Sequence, residues 1–305
     1  MQPIILDNPE TASDRAGVRF KVGTWSGICH AVACFVKDAV DLLLPEEEGC
    51  VICGQTGGGR MEEIFYAPIC KNCLAAIPFV QPPYCRVCGR PTRGVSAPER
   101  SRGDERGDAR DGTICGDCTT GGRFFKIARA VGVYDGALKD FIHALKFRGR
   151  QELAEGLGVL MARVASREKV MRGVELAVPV PLHPKRLAER GYNQAELLAH
   201  MVGSCLGVPV KPALARSIHT GEQNKLGRQL RRENLRGAFM VPYPLVVAGK
   251  RVLLIDDVIT TGATANECAR ALLRAGAAEV YVLAAAVAPL EKEWLFPVVE
   301  GACAK

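Results

Sequence analysis

Two adjacent carboxylates, Asp256 and Asp257, are followed within three residues by a small hydroxyl-bearing run, Thr260-Thr261-Gly262-Ala263-Thr264. A carboxylate pair can accept hydrogen bonds from two vicinal hydroxyls of a sugar. Small residues let the backbone wrap closely around an anion, and threonine hydroxyls add donors. The chemistry indicated is the capture of a phosphorylated sugar. A Walker A loop needs G-x-x-x-x-G-K-[ST], which is not here, and neither is G-x-G-x-x-G.

The flanking residues explain how such groups would be held. The apolar run Val252 to Ile255 reads as a strand leading into the carboxylates, and an alanine-rich helix follows the turn, with Gly276 able to cap its far end. Amide N–H groups at a helix start are unpaired and carry partial positive charge, so a phosphate is stabilised there. The alternative is an ordinary buried strand and helix joined by a polar turn. The order of strand, acid pair, turn and helix resembles the phosphoribosyl pyrophosphate (PRPP) loop of type I phosphoribosyltransferases. That resemblance implies that Asp256 and Asp257 hold the ribose hydroxyls and that Thr260, Thr261, Gly262, Ala263 and Thr264 hold the 5′-phosphate.

Eight of the thirteen cysteines fall into four C-x2-C pairs: Cys50/Cys53, Cys70/Cys73, Cys85/Cys88 and Cys115/Cys118. Two residues between thiolates let both sulfurs reach one tetrahedral ion, and two such knuckles complete a four-cysteine site. The first two pairs are sixteen residues apart, within the range of a zinc ribbon, and the last two are twenty-six apart. The excess lies in residues 92–112, whose only large apolar side chain is Val95, and which read as a disordered insertion. Disulfides, a redox pair and iron–sulfur ligation are the alternatives. Two structural zinc ions are the favoured reading, and four thiolates per ion leave no open catalytic position.

Composition is that of a globular protein: 305 residues, 48% hydrophobic, 24% charged and a net charge of +7. The positive charge is concentrated. From His183 to Arg236 there are ten Lys/Arg against four Glu, either a solvated face or a surface for phosphates. Aromatic residues make up only 6%, so extended base-stacking surfaces are not evident. The best candidate for a membrane span, Gly27 to Leu44, is broken by Lys37, Asp38 and Asp41 and reads as an amphipathic helix instead. No signal-peptide pattern is evident, so a cytoplasmic location without membrane insertion is expected.

Between the cysteines and the acid pair, Ala128 to Tyr134 reads as a strand, Leu138 to Phe147 and Gln151 to Ser166 as helices, and Leu176 to Pro181 as a second apolar strand. Alternation of strand and helix implies a parallel α/β sheet, with ligands bound at the carboxyl ends of its strands. The loop after Pro181 would then bring cations to the edge where the acid pair lies.

The segments ALKFRGR (144–150), VPVPLHPKRLAERGYNQAELLA (178–199), NLRGAF (234–239) and RVLLIDDVITTGATANE (251–267), after the lead-in AVDLLLP (39–45), resemble the ComF family. The likeness spans Ala39 to Ala286. It departs from the family at the insertion and at HTGEQNKLGRQLRREN (219–234), where Thr220, Gln223, Leu226 and Gly227 still fit the family frame. The resemblance implies an α/β fold, a type I phosphoribosyltransferase-like parallel sheet flanked by helices and preceded by a small double zinc-ribbon module. The divisions expected are a tail with an amphipathic helix (1–45), the ribbons (46–122), the transferase-like domain (123–290) and a C-terminal tail (291–305). It further implies that Lys185 and Arg186 bind pyrophosphate, that Arg190, Lys146 and Arg148 are further phosphate ligands, and that Mg2+ accompanies PRPP. DNA uptake, with single-stranded DNA or a helicase as partner, is the role implied. A transferase acting on a nitrogenous acceptor and a ligand-gated docking module are the competing roles, and no base-recognition signature separates them.

Overall fold

In the computed structural model, the described residues are 49–55, 69–92, 114–120, 122–216 and 237–289. The amphipathic lead-in, residues 93–113 of the insertion, the segment 217–236 with its Gln223 and basic side chains, and the C-terminal tail lie outside them. The chain divides into two units, Met1–Glu48 and Gly49–Lys305, and every described residue belongs to the second.

Four parallel strands make the central sheet: β1 (Ala128–Val133), β2 (Leu176–Pro179), β5 (Arg251–Ile259) and β6 (Glu279–Val287), in the order β1-β6-β5-β2. A two-stranded antiparallel ribbon, β3 (Ala215–Arg216) with β4 (Phe239–Met240), lies apart from it. Helices α3 (Gly136–Phe147), α4 (Leu153–Arg167), α5 (Pro184–Arg190), α6 (Gln194–Leu206) and α7 (Ala263–Arg274) complete this part. Two short helices, α1 (Lys71–Ala76) and α2 (Gly116–Thr120), each carry the end of a cysteine cluster.

Side chains of a strand alternate between faces, so a sheet covered on both sides needs apolar residues throughout. Leu253 and Ile255 of β5 join a core with Leu138, Ile142, Leu145, Leu157 and Leu198 from α3, α4 and α6. Val252 and Leu254 join the opposite core with Cys268 and Leu272 of α7. The same alternation carries Asp257 toward the α3 side and Asp256 toward the α7 side.

Each cysteine cluster is docked on the sheet domain. Near the first, Val51 packs against α4 at Gly156, where a Cβ would fall 2.7 Å from Val51 Cγ2. The second sits at the start of β1, where Ala128 N donates to Val87 O (2.7 Å) and a Cβ on Gly89 would meet Ala128 O at 2.6 Å. Thr92, expected to open the insertion, belongs to this module instead: it is buried, and its amide donates to Pro83 O (3.0 Å). Its small polar side chain gives no sequence signal of that contact.

Candidate functional site: an acid pair, a threonine-bearing turn and two thiol clusters

Strand β5 runs through both carboxylates to Ile259, pairing Asp256 with Ala284 and Val258 with Ala286 of β6. The acid pair is therefore held by a regular ladder rather than by a loop. Asp256 Oδ1 accepts from Asp257 N at 2.8 Å. Burial first, and the neighbouring Asp257 charge second, push the Asp256 carboxyl up to about 8. Asp257 is buried, with its Oδ1 2.9 Å from Lys146 Nζ. Its Oδ2 is buried with no hydrogen-bond partner among the described residues. A buried acceptor left open in this way suits a ligand that brings a hydroxyl or a cation.

The chain turns at Thr260–Gly262, where Gly262 takes φ +74°, and α7 begins at Ala263. A positive φ is the reason for glycine at this position. Thr261 Oγ1 accepts from Ala263 N (3.3 Å), and Asn266 N donates to Gly262 O (2.9 Å). Thr260 is exposed, Thr261 and Thr264 are partly exposed, and Gly262 and Ala263 are buried.

Lys185 and Arg186 stand on the short helix α5, not on an open loop. Pro184 suits a first helical position, and His183 Nδ1 caps the helix by accepting from Lys185 N (3.2 Å), so the helix starts earlier than the apolar pattern alone would place it. Both cations are exposed. Arg190 points elsewhere: its guanidinium donates to Gln194 Oε1 and lies 5.0 Å from the centroid of the Phe147 ring. Arg148 is exposed just past the end of α3. Of the expected cations, Lys146 pairs with Asp257.

Three arginines at this edge carry no recognisable sequence motif. Arg216 lies close enough to Arg186 that its guanidinium is lowered from the usual value, by burial first and by that charge second. Its Nε is buried without a partner among the described residues. Arg90 and Arg123 reach the turn from the second cysteine cluster: Arg90 Nη2 donates to Thr260 O, and Arg123 Nη2 to Thr261 O (3.4 Å). The sequence signal for these two is only their position directly beside the cluster.

The eight expected metal ligands gather into two sets, Cys50/Cys53/Cys70/Cys73 and Cys85/Cys88/Cys115/Cys118, with all sulfurs of a set within 4.8 Å of one another. A tetrahedral Zn–S site with bonds of about 2.3 Å has sulfur–sulfur edges of about 3.8 Å. The Cys53–Cys70 and Cys88–Cys115 sulfurs are 3.8 and 3.6 Å apart. Amides point at the sulfurs as in a metal knuckle, Cys70 N to Cys50 Sγ at 3.3 Å and Cys115 N to Cys85 Sγ at 3.4 Å. Hydrogen bonds from Cys118 and Cys88 hold the Cys85 thiol down as a thiolate, while the same kind of contact to Cys118 and Cys85 pushes Cys88 up. Four sulfurs this close form a donor set for one cation. The donors fit a single zinc ion per set and not a polynuclear cluster, whose cysteines bind different iron atoms. None of the eight is in a disulfide.

Comparison with known proteins follows the same division. The family model for the double zinc ribbon domain matches residues 39–119, and that for the phosphoribosyl transferase domain matches residues 196–302. The chain is 32% identical to the DNA utilization protein YhgH of Salmonella typhimurium, over 70% of this chain and 88% of that protein. It is 30% identical to Competence protein F of Haemophilus influenzae, over 70% and 88%. It is 30% identical to Competence protein ComFC of Bacillus subtilis, over 69% and 80%. Among the described residues no helix is long and apolar enough to cross a membrane.

Proposed function

The chain belongs to the ComF family, a double zinc ribbon joined to a phosphoribosyl transferase domain, and from that premise we propose that it binds PRPP at the carboxyl end of β5 in support of DNA uptake or use. The observation that carries this reading is the acid pair held in a rigid strand, directly ahead of a glycine-capped helix start, with Asp257 Oδ2 buried and open.

On this reading the 2′- and 3′-hydroxyls of ribose donate to Asp256 and Asp257, and the Thr260–Thr264 amides and hydroxyls donate to the 5′-phosphate. Lys185 and Arg186, with Arg216 beside them, face the pyrophosphate. Lys146 neutralises Asp257 before the sugar arrives and is placed to turn to a phosphate once hydroxyls take over that carboxylate. Magnesium bound with PRPP would offset the pyrophosphate charge, and the carboxylate oxygens of Asp256 and Asp257 are the protein groups that would hold it. Should a nitrogen acceptor displace pyrophosphate, these residues would act by fixing the sugar and stabilising the departing charge.

A nucleic-acid role is supported by Phe147, which is 65% exposed with the Arg190 guanidinium over its ring, one residue from Lys146. An exposed aromatic beside a cation is a platform on which a single-stranded base stacks. The relatives named for DNA utilization and competence point the same way. A DNA-uptake helicase is the protein partner this role implies, and the cytoplasm is the compartment that keeps eight unpaired thiols reduced for zinc.

The test is calorimetric titration of Mg·PRPP into the wild type and into Asp256→Ala/Asp257→Ala. Binding by the first that the second loses supports the ligand, and pyrophosphate release with a panel of nitrogenous bases then separates an enzyme from a binding protein. A folded, zinc-loaded wild type that binds no PRPP would overturn the reading.

A further inference from the structure

Two buried or partly buried cations join the second thiol cluster to the phosphate turn. The Arg90 side chain is 3% exposed; its Nη1 lies 3.1 Å from Asp117 Oδ2, and its Nη2 donates to Thr260 O, 170 residues away in sequence. Asp117 sits between Cys115 and Cys118 on α2 and pairs with this guanidinium, while the Arg90 main-chain O accepts from Cys85 N (2.8 Å), so the cluster holds both the side chain and the backbone of Arg90. The Arg123 guanidinium lies beside the Cys118 thiol and donates through Nη2 to Thr261 O (3.4 Å). The adjoining main chain adds a third link, with Phe124 N donating to Asn266 Oδ1 (2.8 Å) in the first turn of α7.

We propose that Arg90 and Arg123 are positioning residues through which the second cysteine cluster sets the shape of the phosphate turn, making the turn's order depend on metal at that cluster and not at the first. The physical link is the planarity of the peptide. In a trans peptide the carbonyl and the following N–H point in opposite directions. Drawing the Thr260 and Thr261 carbonyls toward the arginines therefore turns the Thr261 and Gly262 amides to the other side, as donors toward an anion. A buried guanidinium is stabilised only where its partners are fixed. Loss of the ion from the second cluster lets Asp117 and Cys118 move, and both carbonyls are released with them. Among the described residues the first cluster has no such path: near it, Arg150 Nη2 donates to Ile52 O (3.4 Å) and Val51 packs on Gly156 of α4.

The consequence for phosphate affinity rests on the PRPP reading; the consequence for the turn itself does not, and the two are tested separately. Hydrogen–deuterium exchange of the full chain is followed in peptides covering 256–266 and 280–287, in the wild type and in Arg90→Gln, Arg123→Gln, the double variant, Cys118→Ser and Cys53→Ser. The turn peptide is expected to exchange at least about 10-fold faster in the double variant and in Cys118→Ser, with the β6 peptide unchanged. Cys53→Ser, at the first cluster, should leave the turn alone. Arg90→Lys, which keeps the charge but not the two-pronged geometry, should fall between wild type and Arg90→Gln, and it decides the matter if the double variant does not fold. Unchanged exchange at the turn, or an equal rise in β6, overturns the proposal. In the second arm, Mg·PRPP titration should weaken about 10-fold or more in Arg90→Gln/Arg123→Gln. A wild type without PRPP binding would sink the ligand reading alone, leaving the exchange result to judge the clamp.

Discussion

Lys146 Nζ lies 2.9 Å from Asp257 Oδ1, an ion pair that ties the end of α3 to the interior of β5. Both side chains are largely shielded from water, 17% and 6% exposed, so the pair is neither a surface decoration nor easily replaced by solvent. It also brings a cation directly to two adjacent carboxylates.

Lys146→Met should therefore destabilise the protein, by about 1–3 kcal/mol at pH 8, through an unpaired buried carboxylate. The loss should shrink at pH 5, where Asp256 carries its proton and repels the Asp257 carboxylate less. Lys146→Met/Asp257→Asn should recover most of it. Urea unfolding at the two pH values checks all three outcomes.

Asp256 holds its proton to about pH 8, whereas in the unfolded chain it ionises near the usual carboxylate value of about 4. The folded state then binds the extra proton across that interval, so the contribution of this group to stability is full below pH 4 and declines as pH rises toward 8. Asp256→Asn removes the decline and should be more stable than wild type at pH 8, by about 1 kcal/mol or more, while losing PRPP binding. In the wild type, PRPP affinity should rise between pH 7 and 9 as Asp256 ionises. Thermal unfolding and calorimetry across pH measure the two effects, and a flat pH profile would contradict this account of the carboxylate.

Each thiol set should release its own zinc ion. Elemental analysis should give two zinc atoms per chain for wild type and one for Cys70→Ser or for Cys88→Ser, from colourless protein. Visible absorbance from iron would reverse the assignment.

Phe147→Ala should leave stability within about 0.5 kcal/mol, since the ring is mostly exposed. Affinity for a single-stranded oligonucleotide should nevertheless fall by about 1–3 kcal/mol, the worth of one stacked base, with PRPP binding unaltered. Fluorescence anisotropy at several salt concentrations separates this stacking contribution from phosphate contacts.

The groups legible in the sequence are those whose geometry is local. A C-x2-C spacing brings two sulfurs to one ion whatever surrounds it, and the four pairs assemble as the spacing indicates, even across twenty-six residues. The strand, turn and helix from Arg251 to Arg274 are similarly encoded by an apolar run, a glycine at positive φ and an amphipathic repeat. Helix α5 is less legible, because its start depends on a histidine cap within what the sequence reads as the loop after Pro181.

What the sequence by itself determined is thus the identity of the chemical groups and the order in which the chain presents them: thiol clusters, cations, acid pair, threonine-bearing turn. Only the tertiary structure decided which of these meet. It placed the two carboxylates of one strand toward opposite helices, gave Lys146 to Asp257, turned Arg190 onto Phe147, and brought Arg90 and Arg123 from the second cluster to the turn. Pattern along a chain reports the period of a helix or strand, whereas contacts between residues over a hundred positions apart depend on how the buried faces of those elements pack. For the same reason the partners of a buried arginine are visible only once the chain has folded around it.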